Sequence, residues 1–164
     1  MQKLIEITPD NIYTYEAGIK QLRPDYIYYS NADITEYIYI YDNVTVAYAL
    51  LKTSSLIYDI KDKYINKTNL RCIKIYKKFI NDFRRDDITC LYNLIRLPDI
   101  KYAGAGISLI NAILSIKKKI YLATIEKKLY SYYIKNGFKP TNYFDIDISG
   151  IFRKVLVKDI EQID

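Results

Sequence analysis

The chain contains no histidine among its 164 residues. That absence removes serine–histidine–aspartate and cysteine–histidine nucleophile systems, histidine-ligated zinc and histidine general bases. Any catalysis must draw on carboxylates, tyrosine, backbone amides or the reactivity of a bound cofactor. Cysteine is nearly as scarce: Cys72 and Cys90 stand alone, with neither metal-ligand spacing nor a disulfide framework. Only 5 glycines and 4 prolines interrupt a chain that is 50% hydrophobic, which excludes disorder and predicts a single folded domain over 1–164. Long apolar runs are missing too. The longest, Ala103 to Ile116, is too short to span a bilayer and carries Asn111. The opening MQKLIEITPD places charges where the apolar core of a secretory signal would lie. A soluble, intracellular protein of the cytoplasm is expected, with no membrane partner.

What the chain has in abundance is tyrosine, 19 residues of it, beside many Ile, Lys and Asn. That mixture suggests an AT-rich coding genome as readily as any chemistry. The formal net charge of +6 would attract a polyanion. Nucleic acid and a phosphorylated cofactor both qualify, and charge does not choose between them.

Hydrophobic spacing and turn residues set the elements. LIEIT predicts a first strand, and Pro9-Asp10 opens a helix running toward IKQLRPD. EYIYIYDNVTVAYALLKT predicts two strands around a turn at Asp42-Asn43. Cys72, Tyr76, Phe79, Ile80 and Phe83 fall at helical spacing, with Lys74, Lys77, Lys78, Arg84 and Arg85 as the polar remainder, although RCIKIY also suits a strand. ITCLYNLIRLP reads as the clearest buried strand, stopped by Pro98. Ile107 to Ile116 is apolar on nearly every side, so that helix should be covered by other elements, and Lys117, Lys118 and Lys119 mark its end. IYLATI predicts a fifth strand and EKKLYSYYIKN a further helix, with Gly137 as its left-handed cap. FDIDI and IFRKVLVK predict two last strands around Ser149-Gly150.

Strand, glycine turn, helix, strand is a right-handed crossover between parallel strands. Its turn presents a helix amino terminus whose unpaired amides and dipole suit an anion, provided the backbone can approach closely. Ala103, Gly104, Ala105 and Gly106 have almost no side chains to prevent that approach. Two better-known phosphate loops fail here. The dinucleotide fingerprint needs a third glycine where Leu109 stands, and no Walker lysine and hydroxyl pair follows Gly106. On the loop alone, a small-residue entry to a buried helix is the plainer account.

The flanking residues shift that balance. Pro98, Lys101, Gly104 and Gly106, followed by Leu109-Ile110, resemble the acetyl-CoA loop of the GNAT superfamily of N-acyltransferases, with Lys101 in place of the usual Arg or Gln. Downstream, YYIKNGF (132–138) is similar to that family's aromatic-Tyr-x-Lys-x-Gly-Phe segment, one helix and one strand away. The stronger resemblance covers about residues 88–140. It implies an α/β acyl-CoA N-acyltransferase fold, a mixed central sheet of about seven strands with helices on both faces. Residues 54–87 would be an insertion between strands three and four.

The resemblance also implies a mechanism. Strands four and five would splay, and the pantetheine arm of acetyl-CoA would pair with backbone groups of Ile95, Arg96 and Leu97. Amides of Tyr102, Ala103, Gly104, Ala105, Gly106 and Ile107 would hold the pyrophosphate, with Lys101 assisting. An amine of a small molecule or of a protein lysine would attack directly, and Tyr133 would protonate the departing thiolate. A homodimer is among the family's expectations, whereas a nucleic-acid partner is not. The chain departs from the pattern in three places. Tyr92 replaces a strand-four glutamate used as base, Arg96 an aliphatic residue, and Glu126 an asparagine. Glu36, Asp145 and Asp147 are carboxylates available to relay the proton. Two alternatives stand beside this reading: a basic nucleic-acid-binding module built on KIYKKFINDFRR with stacking tyrosines, and a catalytically inactive scaffold.

Overall fold

Asp42 and Asn43 both adopt positive φ, 47° and 65°, as a two-residue hairpin turn of the primed type requires. They join the strands that organise the amino-terminal part of the sheet. The computed structural model describes residues 1–53, 74, 77–79, 81–82, 88–146 and 151–160. Its strands are β1 (Gln2–Ile7), β2 (Ile34–Tyr41), β3 (Val44–Thr53), β4 (Thr89–Arg96), β5 (Lys119–Thr124), β6 (Lys139–Ile146) and β7 (Phe152–Asp159). They form a mixed seven-stranded sheet in the order β1-β2-β3-β4-β5-β7-β6. Its helices include α1 (Ile12–Leu22), α2 (Ala105–Lys117) and α3 (Lys127–Lys135), with a short 3-10 turn at Ile100–Tyr102. No described helix is long and apolar enough to cross a membrane.

The chain divides into two compact units. The first comprises Met1–Lys52 and Leu91–Lys118. Here β1, β2 and β3 pair antiparallel, from Gln2↔Tyr41 to Ile7↔Glu36 and from Tyr41↔Val44 to Ile34↔Lys52. Ile12 and Ile19 of α1 join Ile5, Ile7, Ile38, Tyr48 and Leu50 in one buried cluster. α2 packs against β1 and β2. Its buried residues fall in two adjacent rows four apart, Ala105-Leu109-Ile113 and Gly106-Ile110-Leu114, which together make one broad stripe. The apolar sequence predicts cover all round; instead the cover is on this stripe, and Ile116 is 56% exposed. Each large side chain in it contributes roughly 1.5–3 kcal/mol by leaving water, enough to hold the helix without burying its far side.

The second unit takes in the described residues of Thr53–Cys90 and Lys119–Asp164. β4 enters it in parallel with β5, through Thr89↔Ile120 and Cys90↔Tyr121, and the register ends there. β5 and β7 pair antiparallel from Lys119↔Asp159 to Thr124↔Lys154. Phe79, Ile88, Tyr121, Val155 and Val157 form its buried cluster. Within the segment read as an insertion, 74, 77–79 and 81–82 are helical, in keeping with the predicted spacing. The remainder of 54–87, including much of KIYKKFINDFRR, lies outside the described residues, as do Asp147 and the Ser149-Gly150 turn.

β4 needs a correction. Of its residues only Leu91 is buried, and Tyr92 is 64% exposed. Its apolar sequence is therefore not matched by cover on both faces. The Lys52 ammonium lies 3.5 Å from the Tyr92 ring centroid, a cation on an aromatic face.

Candidate functional site

Asp99 starts the loop. Its carboxylate accepts from the Lys101 amide at 3.0 Å, which caps the 3-10 turn. Inside that turn the Tyr102 amide donates to the Asp99 carbonyl and the Ala103 amide to the Ile100 carbonyl, each at 3.0 Å. The chain then reverses at Gly104, with φ 86° and ψ −6°, the left-handed region that only glycine enters without strain. α2 begins at once. Its first backbone bond runs from the Ser108 amide to the Gly104 carbonyl at 2.9 Å. The amides of Gly104, Ala105, Gly106 and Ile107 accordingly precede the helix ladder, and no side chain caps them. A Cβ built on Gly104 meets nothing within 4 Å, so open space lies beside these donors.

This geometry narrows the predicted donor set. Tyr102 and Ala103 were expected to offer amides to an anion, but the 3-10 turn engages both because Asp99 nucleates it. Gly104 to Ile107 carry the free donors. N–H groups left unpaired at the positive end of a helix dipole suit a phosphate. Lys101 stands beside them with its side chain exposed and its ammonium 5.2 Å from the Tyr102 ring centroid.

Just past β4, the Leu97 amide donates to the Val46 carbonyl of β3 at 2.9 Å. Its own carbonyl accepts from the Arg96 guanidinium at 2.8 Å. Backbone groups alternate edges along a strand, so Ile95 and Leu97 turn toward β3, whereas Leu94 and Arg96 present theirs to the opposite edge. Of the predicted trio, Arg96 is thus the member able to pair with an added extended chain. Leu94 joins it; sequence alone could not find that residue, because the strand's phase was unknown.

A cavity of about 200 Å³ adjoins the same loop, lined by Lys101, Tyr102, Ala103, Ala105 and Ser108 together with Gln2, Tyr39, Tyr41 and Val46. Tyr39 donates to the Gln2 side-chain oxygen at 2.7 Å. The Tyr41 ring meets that of Tyr102 edge-on at 6.3 Å. The only sequence signal for this wall was the alternation of tyrosines along β2.

Tyr133 lies in the second unit. The YYIKNGF spacing acquires a structural cause there. The Phe138 amide donates to the Tyr133 carbonyl at 3.0 Å, and the Gly137 amide to the Ile134 carbonyl at 3.2 Å, with Gly137 at φ 94°. This is a Schellman cap, and its expected apolar contact is the Tyr133–Phe138 ring pair at 5.2 Å. Lys158 reinforces it by donating to the Asn136 carbonyl at 2.8 Å. Tyr133 is only 9% exposed, and burial pushes its phenol up to about 12. It is therefore a neutral hydroxyl at physiological pH, in the state a proton donor needs. Glu126 serves as the residue preceding α3, with its amide on the Thr124 hydroxyl at 3.2 Å.

Glu36 is 2% exposed and accepts from Tyr48 at 2.6 Å and Tyr26 at 3.3 Å. Burial raises its carboxyl, while the two phenols pull it back down. Sealed beneath these hydroxyls, Glu36 ties the α1–β2 connection to β3 and leaves no face for an acceptor amine. Asp145 sits on β6 opposite Arg153. No group of three or more His, Cys, Asp or Glu among the described residues is placed to hold a metal.

The buried tyrosines carry a pH prediction. Burial raises Tyr37 and Tyr133 from 10.0 to about 12, and burial with the Glu36 charge raises Tyr26 and Tyr48 as well. Each holds its proton more tightly folded than unfolded. Their contribution to stability is complete below about pH 10 and is lost as pH rises through the folded values. Denaturant melts across that window should show a falling midpoint, with phenolate absorbance from these rings appearing only on unfolding. Reversible ionisation of every tyrosine in the folded chain would contradict their burial.

No family model matches the chain, and no curated protein sequence matches it. Solved structures do. A putative GNAT-family acetyltransferase from Desulfovibrio desulfuricans aligns over 98% of this chain and 99% of its own, with TM-score 0.56 and 8% identity. An aminoglycoside acetyltransferase in complex with coenzyme A aligns over 99% and 96%, at TM-score 0.57 and 11% identity. The ribosomal-protein-S18-alanine N-acetyltransferase of Escherichia coli aligns over 98% and 94%, at TM-score 0.52 and 13% identity. The strand order, the parallel β4–β5 start, the glycine turn into α2 and these full-length alignments agree: the chain has the fold of the GNAT acetyltransferases.

Proposed function

We propose that this protein is an acetyl-CoA-dependent N-acetyltransferase that acetylates an amine in a direct ternary complex. The observation that carries the reading is the set of four uncapped amides at Gly104 to Ile107, beside open space, in this fold. The residues present fit the coenzyme. The four amides would hold its diphosphate, Lys101 would add a cation at the rim, and the Leu94–Arg96 edge would pair with the pantetheine arm. Bound acetyl-CoA supplies an activated acyl group that an amine takes without an enzyme nucleophile, which suits a chain lacking histidine. Backbone amides of β4 would donate toward the acyl oxygen as charge develops on it. The Tyr133 hydroxyl would give its proton to the leaving sulfur. The acceptor is a small-molecule amine or a protein lysine.

The test combines thermal shift with thiol release. Coenzyme A or acetyl-CoA at a hundredfold excess over its dissociation constant should add about 2.7 kcal/mol of stability, and the effect should survive moderate salt. An amine panel with acetyl-CoA should then release free thiol. No stabilisation by either ligand would overturn the assignment. Stabilisation without thiol release would favour the inactive scaffold, a reading to which Tyr92, capped by Lys52 where the family's base stands, lends an observation.

A further inference from the structure

Lys158 carries a buried charge that the mechanism above does not use. It lies on β7 opposite Ile120 of β5, and only 4% of it is exposed. Burial draws its ammonium below the usual lysine range, so the charge is kept there at a cost. That ammonium donates to the Asn136 carbonyl at 2.8 Å, at the negative end of the α3 dipole. The stem crosses the turn closely: a Cβ on Gly137 would stand 3.2 Å from its Cε and 3.3 Å from its Nζ. The ammonium also lies 6.0 Å from the Phe138 ring centroid. Through this one side chain β7 reaches Asn136, Gly137 and Phe138 in succession at the end of α3.

What this contact fixes is Tyr133. α3 has 9 residues and buries only Tyr133 among them, so its own packing anchors it weakly. Asn136 knits the last turn. Its side-chain amide donates to the Tyr132 carbonyl at 2.7 Å, and its backbone amide to the Tyr132 and Tyr133 carbonyls, each at 3.1 Å. Phe138 then gives its amide to the Tyr133 carbonyl and sets its ring 5.2 Å from the Tyr133 ring. The Tyr133 hydroxyl has no hydrogen-bond partner among the described residues, so the placement of the ring directs it. We infer that Lys158 is a positioning residue: by holding the Asn136 carbonyl it aims the Tyr133 hydroxyl, whose proton goes to the departing coenzyme A thiolate. This rests on the acetyl-transfer reading with Tyr133 as its acid. A misplacement of about 1 Å at a reacting group can cost about a hundredfold in rate, so an anchor outside the site has kinetic weight.

A double-mutant cycle on the full chain tests this, read by thiol release from acetyl-CoA with the amine panel and by calorimetric coenzyme A affinity. Lys158→Met keeps the stem and removes the donor. It should lower kcat about tenfold in the parent and less than about twofold in Tyr133→Phe, with coenzyme A affinity unchanged in both. A merely structural lysine would slow both backgrounds by the same factor. Lys158→Arg, which restores a donor, should turn over faster than Lys158→Met. Should Lys158→Met fail to fold, Lys158→Gln, whose amide ends one bond short of the ammonium, replaces it in the cycle with the same expectation. Equal losses in the two backgrounds, or no loss in either, overturn the role of Lys158 and leave the transfer reading standing. If the parent releases no thiol with any amine, or Tyr133→Phe matches the parent, the reading of Tyr133 as acid falls and this inference with it.

Discussion

Gly104→Val is expected to abolish measurable coenzyme A binding while the chain remains folded. The backbone at this position has φ 86°, where an L side chain costs about 1–2 kcal/mol, and more when branched. No protein atom lies within 4 Å of the added Cβ, so the substitution meets no steric obstacle inside the fold. The valine would instead project into the space beside the amides of Ala105, Gly106 and Ile107. Hydrogen bonds to a charged group are worth about 1.5–3 kcal/mol each, so losing two lowers affinity by two orders of magnitude or more. Gly104→Asn separates strain from obstruction, because asparagine tolerates the left-handed conformation yet still occupies the space. Loss of binding in both variants, with folded melting curves, is the expected result. An asparagine variant that binds like the parent would show that the diphosphate does not approach Gly104.

Tyr133→Phe is expected to lower turnover by about 10²–10⁴, the usual worth of a positioned acid, with coenzyme A affinity unchanged. The ring has a structural duty that phenylalanine keeps. It packs against Phe138 at 5.2 Å and Tyr132 at 5.3 Å, and the backbone carbonyl, not the hydroxyl, closes the helix cap. No hydrogen-bond partner for the hydroxyl appears among the described residues, so stability should move by less than about 0.5 kcal/mol. A phenol raised to about 12 stays protonated when the substrate arrives, and the strongly basic phenolate left after donation would regain its proton readily. Turnover equal to the parent's would assign Tyr133 to packing alone.

The parts of this fold that could be read in advance are those decided within a few residues. Asp42-Asn43, Pro98 and Gly137 each dictate a local backbone conformation, and the structure places a hairpin turn, a strand end and a Schellman cap at them. Burial could not be read the same way. The sequence of β4 is as apolar as a covered strand, but exposure of Tyr92 depends on what other segments bring to its faces. The donor set was partly hidden for a similar reason. Whether Tyr102 and Ala103 offer free amides depends on Asp99 nucleating a 3-10 turn, a choice made by one carboxylate and one backbone bond. The Glu36 cluster and the cavity at Tyr41 each assemble side chains from separate segments, and no spacing along one strand encodes them.

Amide resonances observed while coenzyme A is titrated into the labelled chain test the central claim most directly. The account predicts that Gly104, Ala105, Gly106 and Ile107 move furthest, as their protons take up phosphate oxygens, in saturable fashion. Binding that leaves those four amides unmoved while others shift, or no binding at all, would contradict it.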